Sequence, residues 1–145
     1  MSPSRLYPER PIMGVGILIR KGEEYLLIKR ASEPDRGLWS VPGGMVEIGE
    51  EAEEAAIREA KEETGLDVEI LKDLGVVDKI VRDEVGKVRY HFIIIDYLAE
   101  SVTGEMHHHD DALDAQWVHP RDFRKYPMSP TLVDLLVRIN LYPMF

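Results

Sequence analysis

No cysteine occurs among the 145 residues, which removes disulfides, thiolate zinc sites and a cysteine nucleophile together. Positive charge is scarce: 18 lysines and arginines face 27 aspartates and glutamates, for a formal net charge of −9 and a pI near 5.0. That balance disfavours nucleic acid or an anionic membrane surface as a partner. A polyanionic substrate would need a local positive field, which bound metal supplies most simply. Long apolar runs are missing too, none approaching the ~18 residues of a membrane span. The opening "MSPSRLYPERPIMG" carries three prolines before Ile12 and no apolar core of a signal peptide. The expected location is the cytoplasm.

What is present is ordinary globular material: 44% hydrophobic and 31% charged residues, enough apolar side chain to exclude disorder. The length suits one domain over residues 1–145. "GVGILIR" and "EYLLIKR" are β-rich runs around a turn at Gly22, and their consecutive apolar residues predict strands covered on both faces. The glycines of "ASEPDRGLWSVPGG" and its two prolines mark a loop. "DVEILKDLGVVDKIVR" and "KVRYHFIIIDYLA" form a second hairpin around "DEVG", followed by a short strand "QWVH". Ser129 and Pro130 read as an N-cap and first residue of a last helix, with Leu132, Val133, Leu135, Leu136, Val137 and Ile139 on its buried face. Strands and helices mixed in so short a chain predict an α/β fold with helices flanking a mixed sheet.

Between Glu50 and Glu63, seven of fourteen residues are glutamate. The segment reads as a helix of about four turns, with Glu50, Glu51, Glu53 and Glu54 in its first turn and Gly65 as a left-handed cap. Like charges three and four apart repel by roughly a few tenths of a kcal/mol per pair, so either water dilutes the charge or a cation removes it. Glu59, Glu62 and Glu63 fall in one sector at offsets of 0, +3 and +4 and are expected to converge on one side of the helix. Ala52, Ala55 and Ala56 extend that sector, with Ile57, Ala60 and Thr64 expected roughly opposite. Oxygen-only donors in this number suit Mg²⁺ or Mn²⁺. Composition alone favours a solvated face with pairs such as Glu54 and Arg58.

Spacing decides against that plainer reading. From Gly44 there are five residues to Glu50, then seven to Arg58, then "REAKEETGL". This resembles the Nudix box of the Nudix hydrolases at every fixed position; only Ala60 stands where a bulkier aliphatic is expected. "LWSVPGG" before it and "DALDAQWVHPRDF" near the end extend the resemblance along the chain.

The resemblance implies a Nudix-type α/β/α sandwich with a central mixed β-sheet. It also implies metal-dependent hydrolysis of the pyrophosphate linkage of a nucleoside diphosphate bound to another group. On that likeness Glu59, Glu62, Glu63 and the Gly43 carbonyl would hold Mg²⁺ (or Mn²⁺), and Arg58 would orient the glutamates with Glu50 as partner. Gly44 and Gly65 would be structural. Within the family the chain most resembles the ADP-ribose pyrophosphatase-like group, which implies ADP-ribose cleaved to AMP and ribose 5-phosphate. A house-cleaning nucleoside-triphosphate pyrophosphatase is the nearer alternative, and a nucleotide sensor that does not cut is the farther one.

The loop "MHHHDD" falls where related enzymes place a catalytic acid, so Asp110 and Asp111 are candidates, while His107, His108 and His109 read as solvated loop residues. Arg30, Arg36 and Trp39 are candidates for substrate contact. Expected partners are a small nucleoside diphosphate derivative, no nucleic acid and no membrane, and a homodimer is a compatible assembly.

Overall fold

The computed structural model describes residues 5–107 and 112–142. In chain order these form β1 (Ile12–Lys21), β2 (Glu24–Arg30), β3 (Trp39–Ser40), β4 (Gly43–Met45), α1 (Ala52–Thr64), β5 (Asp67–Arg82), β6 (Val88–Thr103), β7 (Ala112–Val118), a 3₁₀ turn (Pro120–Lys125) and α2 (Pro130–Arg138). Among the described residues seven strands make one sheet. Its main path runs β3-β2-β1-β6-β5, with β4 paired to β1 and β7 to β2. β1 and β6 run parallel from Ile12↔Phe92 to Arg20↔Glu100, and the other pairings are antiparallel. The sheet is therefore mixed.

Unbroken apolar runs were expected to mean strands covered on both sides, and β1 shows why. Ile17 and Ile19 point to a core with Ala55, Ala56 and Ala60 of α1, whereas Leu18 points to a core with Phe123, Leu132 and Leu136 beneath the 3₁₀ turn and α2. Alternation along a strand sends neighbours to opposite faces, so one run serves two cores. The result is the three-layer α/β/α sandwich. Among the described residues no helix is long and apolar enough to cross a membrane.

β1 and β2 register only at Arg20↔Tyr25 and Lys21↔Glu24, beside the Gly22 turn. Beyond it they part, and β4 takes over pairing with Gly14, Val15 and Gly16. This fork opens the sheet where the polar residues of the site collect.

The expected α1 differs from the observed helix in three ways. Glu50 lies before it and Glu51 is its N-cap, with the Glu51 N–H donating to Glu54 at 2.9 Å. Ala60 and Thr64 are fully buried beside Ala56, while Ile57 is exposed. Four residues turn a helix by about 400°, so Ala56, Ala60 and Thr64 line one stripe; a small Ala60 lets that stripe lie close to the sheet. Gly65 caps α1 at φ 77°, its N–H donating to Lys61 at 2.9 Å.

The Ser129 N-cap and Pro130 stand as expected, the Ser129 hydroxyl accepting from the Leu132 N–H at 3.3 Å. Val137, expected on the buried face, is exposed. Phe123, in the 3₁₀ turn the sequence did not announce, is fully buried and its ring lies 6.2 Å from that of Tyr25. Phe123→Ala is expected to cost about 3–5 kcal/mol in urea denaturation with the m-value unchanged. A loss under about 1 kcal/mol would mean that this face collapses to refill the space.

Candidate active site

The site is built where α1 crosses the fork. Arg58 reaches from α1 toward the loop and β4: its Nε and Nη2 donate to the two carboxylate oxygens of Glu50 at 2.7 and 2.9 Å, and Nη2 also donates to the Met45 carbonyl at 3.0 Å. Nη1 donates to Glu59 at 2.7 Å and to Glu62 at 3.2 Å, with Glu47 at 3.9 Å. Glu50 accepts in addition from the Glu47 N–H at 3.0 Å. A planar guanidinium has donors for such a fork, and lysine would not. Arg58 thus ties the loop, β4 and α1 together. The bonds from Arg58 hold the Glu50 carboxyl at about 2, and the Glu50 partnership raises the Arg58 pKa in turn.

Glu59 and Glu63 are seated against the glycine turn. The Gly43 N–H donates to Glu63 Oε2 at 2.7 Å. A Cβ on Gly44 would collide with the Glu59 carboxylate, and one on Gly43 with the Val15 carbonyl. Gly43 therefore admits no side chain, and one on Gly44 would displace the Glu59 carboxylate. Burial raises the Glu59 pKa, which Arg58 opposes.

The three glutamates share one side of α1, as their offsets predict, and line one cavity. Among the described residues no three acids or histidines are grouped as a ready-made metal site. Their present partners explain this: Arg58 holds Glu59 and Glu62, and the Gly43 N–H holds Glu63. The donor chemistry still fits a hard divalent cation. All donors are oxygen, and Arg58 stands within 4 Å of four carboxylates, Glu47, Glu50, Glu59 and Glu62. One guanidinium leaves most of that charge uncompensated.

Glu47, Arg58, Glu59, Glu62 and Glu63 line a cavity of about 740 Å³, within the usual range for small-molecule sites. Arg30 lines it, held by a 2.7 Å bond from Nε to the Pro34 carbonyl, and burial draws its pKa below the usual value against the pull of Asp35. Arg36 does not line it; its Nη1 donates to the Ala31 carbonyl at 2.8 Å on the exposed side of the loop. Trp39 is a correction of a different kind: it is 7% exposed, in the α2-side core, its ring edge-on to Tyr126 at 5.0 Å. Its strand position turns it away from the cavity. Asp110 and Asp111 lie outside the described residues.

Sequence reasoning missed Lys79 and Asp35, which form an ion pair in the cavity wall, and Asp96 on its α2 side. Nothing in "VDKIVR" marks Lys79, because a charged residue in an alternating strand reads as solvent-facing. Asp96 did leave a signal: it is the one acid in the apolar run "FIIIDYLA".

A family model described as the NUDIX domain matches residues 10–138. Over 113 residues, 78% of the chain, the sequence is 42% identical to a protein of Methanocaldococcus jannaschii named ADP-ribose pyrophosphatase, and the match spans 64% of that relative. The fold superposes on the crystal structure of a MutT NUDIX hydrolase from Burkholderia pseudomallei with a TM-score of 0.79 at 32% identity, covering 90% of this chain and 99% of that one. A MutT protein from Methanosarcina mazei Go1 gives 0.74 at 26% identity, covering 92% and 96%.

The depressed Glu50 pKa has a consequence for stability. A carboxyl held below its unfolded value stabilises the fold fully above that value and loses the contribution as pH falls through the folded one. The wild type should therefore exceed Glu50→Gln in unfolding free energy at pH 7. The difference should shrink as pH falls from about 4.3 toward about 2. Urea denaturation across that range measures it, and a pH-independent difference would assign the role of Glu50 to shape alone.

Proposed function

The chain belongs to the NUDIX family, and from that membership we propose that it is a divalent-metal-dependent pyrophosphohydrolase acting on ADP-ribose. The observation that carries the reading is the Arg58 hub, which gathers acidic side chains of α1 and the preceding loop at a cavity of nucleotide size. The likeness to a protein named ADP-ribose pyrophosphatase supports the substrate.

Glu59, Glu62, Glu63 and the Gly43 carbonyl would hold the cation, Mg²⁺ or Mn²⁺. A divalent ion at such a site neutralises non-bridging oxygens and makes water more nucleophilic. The protein's own part is positional. Arg58 holds Glu59 and Glu62, the Gly43 N–H holds Glu63, and Arg30 offers its charge to the same cavity. Water adds to one phosphorus of the anhydride, the bridging oxygen leaves with the other phosphate, and AMP and ribose 5-phosphate result. The proton lost by water passes to a carboxylate, which we assign to Glu63 or to Asp110 or Asp111 of the segment that precedes Ala112.

The likeness to a MutT NUDIX hydrolase over nearly its whole length supports a second reading, hydrolysis of a nucleoside triphosphate to monophosphate and pyrophosphate. A substrate panel with product analysis separates the two. ADP-ribose releasing AMP fastest is the expected result, and pyrophosphate release from a triphosphate outpacing it transfers the assignment. EDTA is expected to abolish either activity.

Glu63→Gln should lower kcat by about a hundredfold or more, on the scale of general-base assistance, while stability without metal is kept or rises. Of Asp110→Asn and Asp111→Asn, one should depress kcat about a hundredfold or more with KM nearly unchanged, and the double variant should match it. Full turnover in the double variant would place the base within α1.

A further inference from the structure

Asp96 is 5% exposed, on the sheet face that carries α2. Its register neighbours are Gly16 on β1 and Gly75 on β5, so on both sides the adjoining strand presents no side chain. A Cβ on Gly16 would collide with Asp96 Oδ1. The charged groups facing it come from α2: Arg138, with Nη2 at 3.7 Å from Oδ2, and Asp134. Arg138 is committed elsewhere, its Nη1 donating to the Leu74 carbonyl at 3.1 Å and its Nε pairing with Asp134 at 3.2 Å. At 3.7 Å it is too far for a hydrogen bond to Asp96. Burial, reinforced by Asp134, pushes the Asp96 carboxyl up to about 6.

A buried carboxylate is costly unless hydrogen-bond donors meet it, and here the nearest cation does not. What Asp96 does face is the cavity, whose α2-side wall is mostly apolar, with Val77, Phe92, Ile94, Leu132 and Leu135, and carries hydroxyls at Ser129 and Thr131 where α2 begins. A largely apolar wall with one carboxylate set in it, and glycines clearing the strand beside it, suit a flat heterocycle that carries an amino group at its edge. The glutamate cluster lines the same cavity. A nucleotide whose phosphates lie at the glutamates has its base to place.

We propose that Asp96 selects the nucleobase, its carboxylate accepting a hydrogen bond from the exocyclic amino group of a purine lodged against Gly16 and the first turns of α2. The inference rests on the reading of the substrate as a nucleoside diphosphate derivative. A site built to accept from an amino group penalises an analogue with a carbonyl there, because two acceptors are then forced together in a buried place. Hypoxanthine differs from adenine in this way.

Calorimetric titration of ADP-ribose and of its hypoxanthine counterpart, both with EDTA, tests the inference without turnover. The wild type is expected to bind the adenine form at least about tenfold more tightly, and Asp96→Asn, whose amide can donate to a carbonyl, to narrow the ratio to within about threefold. That narrowing should come mainly from tighter binding of the hypoxanthine form. Arg138→Gln should leave the ratio as in the wild type. Equal weakening of both nucleotides in Asp96→Asn would make Asp96 a structural partner of Arg138 and overturn the inference, as would a wild type with no preference or no binding. Where Asp96→Asn does not fold, Asp96→Ser gives the same comparison. Retained discrimination without any hydrolysis would sink the hydrolase reading and leave this one standing.

Discussion

The Arg58 guanidinium is the constraint on which the rest of the site depends. Five N–H groups are spread over two oxygens of Glu50, one oxygen each of Glu59 and Glu62, and the Met45 carbonyl. Those partners come from a loop, a short strand and a helix, none of which would hold its place beside the others unaided. β4 has three residues and α1 exposes an acidic face whose members repel one another. With the charge gathered on one planar cation, the loop is fixed to the helix, the Glu50 carboxyl is held ionised, and the burial that raises the Glu59 pKa is opposed. Order here comes from electrostatics, whereas the two cores of the sandwich supply order by burial.

The same division explains what could be read from the sequence. The glutamate spacing made Arg58, Glu59, Glu62 and Glu63 legible, because a helix translates sequence offsets into angles with little room for exception. That rule gives the side of the helix on which a group sits. It does not give the direction of a long side chain: Glu59 and Glu62 turn to Arg58 and Glu63 to the Gly43 N–H, while all three keep to the side of α1 that the offsets predicted. Ala60 was misplaced for a simpler reason, a miscounted angle along a stripe that α1 plainly contains.

Away from the helix, legibility fell with sequence separation. Arg36 sits in a loop and Trp39 begins β3, whose place depends on the segment before α2 through the Trp39 N–H to the Pro127 carbonyl and the Ser129 N–H to the Trp39 carbonyl. Nothing local encodes that contact. The ion pair of Lys79 and Asp35 joins residues 44 positions apart, and the relation of Gly16, Asp96 and Gly75 exists only once β1 and β6 run parallel. The two-sided burial of β1, by contrast, was visible in its unbroken apolar run, since composition reports how many faces are covered even when it cannot say by what.

The fork between β1 and β2 carries a consequence for how such a protein changes over generations. Because the strands are joined at the Gly22 end and splay at the other, the gap is filled by β4, which Arg58 and the glutamates tie to α1, while Val77 of β5 and Phe92 and Ile94 of β6 line the same cavity without touching that network. Replacements at those β5 and β6 positions can therefore accumulate while Arg58 and its partners stay untouched. Chemistry and choice of ligand are heritable as nearly separate traits, and a lineage can trade one guest for another without first losing its catalyst.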